Sequence, residues 1–348
     1  MKFTPLLMLC SVSAMLFGCG PYINTADLVP PATHQDNQVT ANIINVGSGS
    51  CQIVECAGQR SPLLVDCGTD LFAQRRGRDK VVAEVQDLLA RNGNRVRLVV
   101  SQSSPEHVSL LESVLEGVMV ESIHYAGKRR LLPEIALEHK AIPARLEQSW
   151  EGWTFDSTQP YEPLACGSGP TYVLSANTGF RHAPEDHKRH SLALLIEHET
   201  QTLLLASDAS GHAQDKILQT LDTIKAPQQI SALVAPNHGA VENGSNDDSW
   251  GARVNPKVVV YSNGRMATGP HCEAVGVYKG LSAAAAHPFR CVEAELLGLR
   301  SMGSSETSAH SLPATTERAE YATELNGSVR LTLSREGVRV GCHYQEAC

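Results

Sequence analysis

The chain is 348 residues long, 42% hydrophobic, and carries a formal net charge of −8. Length and apolar content together suffice for a substantial core in one large domain or two small ones. The acidic balance leaves no basic stripe to track a nucleic-acid backbone and so argues against a nucleic-acid partner held by bulk charge, although a local metal could still engage a phosphate.

The N-terminus pairs one positive charge, Lys2, with a short apolar run through Leu6, Leu7, Met8 and Leu9 to Leu16-Phe17-Gly18-Cys19. That pattern predicts a secretory signal over residues 1–18, too short to cross a bilayer and set apart from the fold. Leu16-Phe17-Gly18-Cys19 resembles the lipobox of bacterial lipoproteins, which implies a lipid on Cys19 and hence a membrane partner; ordinary signal cleavage is the alternative. Gly20 in place of Asp favours the outer membrane, facing the periplasm or the exterior. Residues 19–38 are polar and Pro-containing and read as a tether.

The globular part, taken as 39–348, opens with three predicted strands: Val39–Val46, Cys51–Cys56 after Gly47-Ser48-Gly49-Ser50, and Pro62–Val65, which runs into Asp66-Cys67-Gly68-Thr69. Val81, Val82, Val85, Leu88 and Leu89 fall at helical spacing within Asp79–Arg91, and Asn92-Gly93-Asn94 ends that helix. A strand at Leu98–Val100 then leads into Ser101-Gln102-Ser103-Ser104-Pro105-Glu106-His107. Beyond it a helix is predicted over His107–Leu115, a strand over Val118–His124 and a helix over Leu131–His139, followed by a β-rich stretch with Trp150, Trp153 and Phe155. Strands at Tyr172–Ser175, Ser191–His198 and Thr202–Ala206 come next, the last ending at Ser207-Asp208. A helix at Asp215–Leu221 precedes strands at Ser231–Val234, ending in Pro236-Asn237-His238-Gly239, and at Val258–Tyr261, ending in Ser262-Asn263. A Ser/Thr-rich stretch near 301–320 is expected to be exposed, and Val329–Val340 to form a hairpin around Glu336-Gly337. Alternation of strands and helices after a β-rich start fits two mixed sheets packed face to face with helices outside.

With Cys10 in the signal and Cys19 assigned to lipid, the cysteines left are Cys51, Cys56, Cys67, Cys166, Cys272, Cys291, Cys342 and Cys348, an even set in a chain expected to be exported, so disulfides follow. Cys51 and Cys56 are too far apart along one extended strand to bridge, at roughly 3.3 Å per residue. One of them could meet Cys67 across a hairpin, Cys272 could meet Cys291 and Cys342 could meet Cys348, with other connectivities open. A thiolate metal site is disfavoured because no close Cys-x-x-Cys spacing occurs.

The order of these motifs resembles the metallo-β-lactamase superfamily, and within it the branch containing the soluble domain of competence-type DNA-uptake channels. The residues that carry the resemblance are Asn45-Val46-Gly47-Ser48-Gly49-Ser50, Leu64-Val65-Asp66-Cys67-Gly68, the Gln102–His107 loop, Ser191-Leu192-Ala193-Leu194, Ser207-Asp208, Ala235-Pro236-Asn237-His238-Gly239 and Pro256–Ser262. The resemblance implies an αββα sandwich of two mixed sheets flanked by helices. It also implies a His-x-His-x-Asp-His ligand loop, which here is degenerate, with Gln102, Ser104 and Glu106 replacing two histidines and the Asp.

One of the family's two metal sets survives as Glu106, His107, Asp208 and His238, a chemically reasonable group for one Zn²⁺, Mn²⁺ or Fe²⁺; no metal at all is the alternative. Glu106, Asp208 and His238 are the candidate catalytic residues. Asp66, Gln102 and Ser104 are assigned to places around the ion rather than on it, Asp66 supporting the loop through hydrogen bonds. Glu106 also suits a plain role at a helix N-terminus. His187 and His190 match no strict ligand spacing, and Arg181–His190 reads either as a loop over the site or as a solvated loop. Two functions remain. The first is an envelope-anchored, degenerate metal-dependent hydrolase, phosphodiesterase- or nuclease-like by resemblance, acting on a small-molecule or phosphodiester substrate. The second is an inactive pseudo-hydrolase lipoprotein that binds a ligand or another protein. The sequence names no protein partner.

Overall fold

Apolar residues alternate along the strands so that successive side chains enter two different cores, which is how a strand buried on both faces must read. Leu63 and Val65 face one core while Leu64 and Cys67 face another; Leu203 and Leu205 share the first, and Leu204 joins a third. The computed structural model describes residues 37–69, 77–126, 147–149, 158–178, 187–263, 270–278, 287–291, 312–316 and 319–343.

In chain order the elements begin with β1 (Val39–Ile43), β2 (Cys51–Glu55), β3 (Leu63–Cys67), α1 (Arg78–Arg91), β4 (Arg95–Val100), α2 (Pro105–Val108), α3 (Leu111–Val114), β5 (Met119–Tyr125) and β6 (Glu147–Ser149). They continue with β7 (Thr171–Ser175), α4 (His187–His190), β8 (Ala193–His198), β9 (Gln201–Leu205), α5 (Gly211–Thr223), β10 (Ala232–Val234), α6 (Asp248–Val254), β11 (Val258–Tyr261) and α7 (Cys272–Tyr278). Last come β12 (His287–Cys291), β13 (Leu312–Thr316), β14 (Ala319–Ala322), α8 (Thr323–Asn326), β15 (Val329–Ser334) and β16 (Gly337–Cys342).

Among the described residues the first sheet has eight strands in the order β16-β15-β1-β2-β3-β4-β5-β6 and the second has six in the order β14-β11-β10-β9-β8-β7. One core lies between them, built from Val39, Ala41, Ile43 and Leu331 of the first sheet and Val173, Leu194, Leu203 and Val260 of the second. A second core joins the outer face of the first sheet to Val85, Leu88 and Leu89 of α1 and to Leu111 and Val114 of α3. A third joins the second sheet to Ala213, Ile217 and Leu221 of α5, to Trp250 of α6 and to Tyr278 of α7. Helix, sheet, sheet, helix is the αββα sandwich expected.

Two expectations are corrected. The helix expected over His107–Leu115 is two short helices, α2 and α3, because the Leu110 N–H leaves the helical ladder to donate to the Cys67 carbonyl at 3.0 Å. The 301–320 stretch expected to be exposed is in part a sheet strand: β14 pairs in parallel with β11, and Glu320 within it is fully buried. Helices α6 and α7, each of seven residues, had not been foreseen. The hairpin around Glu336-Gly337 is present as β15 and β16. The signal with Cys19, nearly all of the tether, the predicted helix at Leu131–His139, Trp150, Trp153, Phe155, residues 181–186, residues 301–311 and Cys348 lie outside the described residues.

Candidate metal centre

Strands β3 and β4 run parallel, as do β9, β10 and β11, so the residues following these strands gather at one edge of the two sheets. The carboxyl ends of parallel strands are where open α/β sheets place their ligands. Four non-glycine residues there hold left-handed backbone: Asp66 (φ 57°), Ser207 (φ 50°), Asn237 (φ 49°) and His238 (φ 56°). Each such residue costs free energy, and clusters of them mark sites where geometry is dictated by function.

Three side chains converge. His107 Nε2 lies 3.3 Å from Asp208 Oδ2, and His238 Nε2 lies 3.2 Å from Asp208 Oδ1. One ligand atom from each falls within 4.8 Å of the others, the grouping that a single ion requires. The outer nitrogens are fixed by acceptors: His107 Nδ1 donates to Asp66 Oδ2 at 2.8 Å, and His238 Nδ1 to the Ser262 carbonyl at 2.6 Å. In the neutral rings both Nε2 lone pairs therefore face the Asp208 carboxylate. Histidines that ligate metals are oriented in this way by their outer nitrogen.

Asp66 itself accepts from the Ser101 amide at 2.7 Å and the Ser101 hydroxyl at 2.6 Å, which ties the end of β3 to the end of β4 and sets the His107 ring. His107 and Asp208 are fully buried, whereas 18% of the His238 side chain is exposed, so His238 marks the open side of the centre. Burial alone would lower the His107 pKa; the carboxylates of Asp208 and Asp66 overcome it and hold it well above its ordinary value. Burial would likewise raise Asp208, but His238, His107 and Lys188 hold it far below the usual carboxylate range.

Glu106 stands outside the converging group. Its carboxylate accepts from Ser104 Oγ at 3.3 Å; Ser104 stands at the N-cap position of α2 with no side-chain cap bond, and its carbonyl accepts from the His107 amide at 2.9 Å. Gln102 lies closer to the centre than expected: its Nε2 is 2.6 Å from His107 Nε2 and donates to Asp208 Oδ2 at 2.9 Å, while its Oε1 is buried with no partner. His190 is buried but is no part of the group.

The residues fit a divalent ion. Two imidazole lone pairs and a carboxylate converge in a buried space, and Asp208 Oδ1 has no hydrogen-bond donor. Such acceptors repel one another unless a cation or a donor lies among them. Lys188 and Asn237 were missed as site residues from the sequence, although Asn237 stands in the Ala235-Pro236-Asn237-His238-Gly239 stretch that carries the resemblance. Lys188 lies within Arg181–His190, which reads from the sequence as a loop over the site or a solvated loop, but nothing within that stretch singled it out.

No protein-family profile and no curated protein matches the chain. Among solved structures it is similar to the metallo-β-lactamase fold protein YhfI from Bacillus subtilis, with TM-score 0.39 and 13% identity over 70% of this chain and 94% of that one. Tm1679, described as a metal-dependent hydrolase of the β-lactamase superfamily, gives 0.37 and 12% over 69% and 91%. A mutant of CmlA, the diiron β-hydroxylase of Streptomyces venezuelae, gives 0.40 and 14% over 85% of this chain and 54% of that one, so the chain spans about half of the hydroxylase's length.

Proposed function

We propose that this protein is a metal-dependent hydrolase built on one divalent ion, Zn²⁺, Mn²⁺ or Fe²⁺, held by His107, Asp208 and His238. The observation that carries this reading is the convergence of two oriented imidazoles on a buried carboxylate. When bound, such an ion supplies Lewis acidity that activates water and polarises a carbonyl or phosphoryl group. The chain's own residues hold the geometry: Asp66 fixes the His107 ring, the Ser262 carbonyl fixes His238, and Asp208 links the two. Glu106, turned towards Ser104, is left with a supporting role at the start of α2.

One observation favours the second reading, a pseudo-hydrolase that binds without catalysis: the Gln102 amide already donates to two of the three ligands. Placement at the cell envelope, through a lipid on Cys19 and facing the periplasm or exterior, belongs to the same proposal. Disulfides at Cys51–Cys67, Cys56–Cys166 and Cys272–Cys291 accord with export to an oxidising compartment.

Elemental analysis of protein purified without a metal-affinity tag tests the centre, with about one equivalent of a transition metal expected in the wild type and little in His238→Ala or Asp208→Ala. Less than about a tenth of an equivalent, unchanged by His238→Ala, would reject it. Hydrolysis of phosphodiester, lactam, thioester and lactone substrates with added Mn²⁺ or Zn²⁺ then separates the two readings. Activity lost in Asp208→Ala supports the enzyme, and equal rates in both proteins leave the binding role.

A further inference from the structure

Beside the His107, Asp208 and His238 group lies an amide donor with no partner among the described residues. Asn237, one residue before His238, is 1% exposed, and its Nδ2 has no hydrogen-bond partner. Its orientation is fixed by charge. Lys188 Nζ donates to Asn237 Oδ1 at 2.6 Å, and because an ammonium only donates, the atom it meets must be the amide oxygen. A buried donor left unpaired is costly, so the site calls for an acceptor. Nδ2 and Oδ1 share one carbon, so the free N–H group and the oxygen that meets the Lys188 ammonium belong to the same carboxamide. An acceptor that meets both gains most if it is an oxyanion.

Backbone hydrogen bonds hold this pair in place. The Asn237 amide donates to the Ser207 carbonyl at 2.9 Å, and the Lys188 carbonyl accepts from the Ser210 amide at 3.2 Å, so both residues are anchored to the loop that carries Asp208. The left-handed conformation at Asn237 is one that Asn tolerates better than most residues. Asn246 buttresses the same loop from below, its Nδ2 donating to the carbonyls of Pro236 and Ala240 at 3.0 and 2.7 Å. Asn237 directly precedes His238, whose side chain is 18% exposed, and the Lys188 charge acts on Asp208.

We propose that Lys188 and Asn237 form an oxyanion-binding subsite beside the metal centre, which selects substrates carrying a phosphoryl or carboxylate group next to the bond that reacts. This deepens the hydrolase reading and rests on it for the word substrate, but the subsite is testable without any metal. A neutral carbonyl oxygen would accept from the Asn237 donor but leave the lysine charge unmatched, whereas an anionic group meets both. Lys188 and Asn237 are positioning residues for that group and have no part in the bond-breaking step.

The test titrates the full protein, once treated with EDTA and once loaded with Mn²⁺, with inorganic phosphate, with acetate and with chloride at equal ionic strength, following the melting temperature. Phosphate or acetate is expected to raise it and chloride to leave it unchanged; which of the two acts more strongly identifies the substrate's anionic group. Lys188→Gln and Asn237→Asp should each weaken the apparent affinity about tenfold or more, as loss of a charge-assisted hydrogen bond does, and Lys188→Arg should keep it. Far-ultraviolet circular dichroism confirms that each variant is folded. Three outcomes overturn the subsite: no anion effect in either preparation, chloride acting as well as phosphate, or a phosphate effect that persists in folded Lys188→Gln and Asn237→Asp. Failure of the metal proposal alone leaves the EDTA-treated titration standing, so the two can fail separately.

Discussion

A carboxamide nitrogen within hydrogen-bonding distance of an imidazole and a carboxylate offers its two hydrogens to the lone pairs that an ion would take. Gln102 does this at His107 and Asp208. Its N–H groups thus stand in for the cation in the metal-free protein, and a proton on His107 Nε2 competes for the same position. Gln102→Ala should therefore destabilise the metal-free protein by about 2–4 kcal/mol, the worth of two buried hydrogen bonds, one of them to a charge. The same change should tighten metal binding, because the ligands no longer have to be released from the amide. Thermal melts with EDTA, set against chelator competition with Zn²⁺, read both effects, and weaker metal binding in Gln102→Ala would mean that the glutamine assists the ion instead. His107, Asp208 and His238 were legible in the sequence since each closes an apolar strand or opens a helix within an ordered motif. Lys188 was not, because only folding brings its helix against the Asp208 loop.

A second residue gives the protein a pH dependence remote from the centre. His124 in β5 is 1% exposed, contacts Tyr161 Oη at 3.2 Å and Ser122 Oγ at 2.9 Å, and lies close to the Arg97 charge. Burial, aided by Arg97, pushes its pKa from 6.5 down to about 4. Above the unfolded value the ring is neutral in both states and adds no pH dependence. As pH falls from 6.5 to about 4 the unfolded chain takes up a proton that the folded one refuses, so stability falls with pH and levels off below about 4. The full effect is about 3 kcal/mol at 1.36 kcal/mol per unit. Denaturant unfolding at pH 7, 5.5 and 4 should show a smaller loss for His124→Gln than for wild type, and parallel losses would remove His124 as the cause.

At the scale of elements, the centre depends on how closely two backbone turns approach α2. A side chain at Gly68 would place its Cβ 2.4 Å from the Pro105 carbonyl oxygen and 2.5 Å from the Val108 nitrogen, and one at Gly49 would meet the Gly68 oxygen at 2.3 Å and the Glu106 oxygen at 2.8 Å. These atoms are backbone and cannot swing aside. The Ser50 amide donates to the Glu106 carbonyl at 3.0 Å, and Ser262 Oγ donates to the Gly49 carbonyl at 2.8 Å, so one glycine turn links the loop bearing His107 to the residue that orients His238. Gly68→Ala should cost about 1–3 kcal/mol, the usual penalty for overpacking, and should displace α2 enough to weaken metal binding. Gly58→Ala is the control, since nothing lies within 4 Å of its Cβ position and only its left-handed φ of 67° is strained. Equal metal affinity in Gly68→Ala and wild type would break the link. The sequence placed Gly47-Ser48-Gly49-Ser50 between two strands but not against what it packs, and periodicity ran one helix through Leu110 because a tertiary hydrogen bond to Cys67 leaves no mark on hydrophobic spacing.

For the whole molecule, the αββα layering was legible because period-two and helical spacing each persist through most elements. Long-range closure was not. Cys51–Cys67 joins neighbouring strands at a paired position and Cys272–Cys291 closes a short loop, both within reach of reasoning from spacing. Cys342 is disulfide-bonded, with its partner outside the described residues. Cys56–Cys166, separated by 110 residues, carried no local signal, yet it connects the end of β2 in the first sheet to the segment that enters β7 in the second. Beside it, Arg97 donates to the carbonyls of Ala165 at 2.9 Å and Ser61 at 3.1 Å, so the bridge lies within a network that holds the same segments together. Closing a loop of that length restricts the unfolded chain by about 4–5 kcal/mol, against about 3 kcal/mol for the two short loops. Replacing Cys56 and Cys166 together by alanine should therefore lower unfolding free energy more than replacing Cys272 and Cys291, as measured in denaturant without reductant. The order should vanish when wild type and variants are compared after reduction, because the unfolded chains are then equally unconstrained. A deficit in the Cys56→Ala/Cys166→Ala protein that survives reduction would place its cause in the packing around Arg97 and not in the bridge.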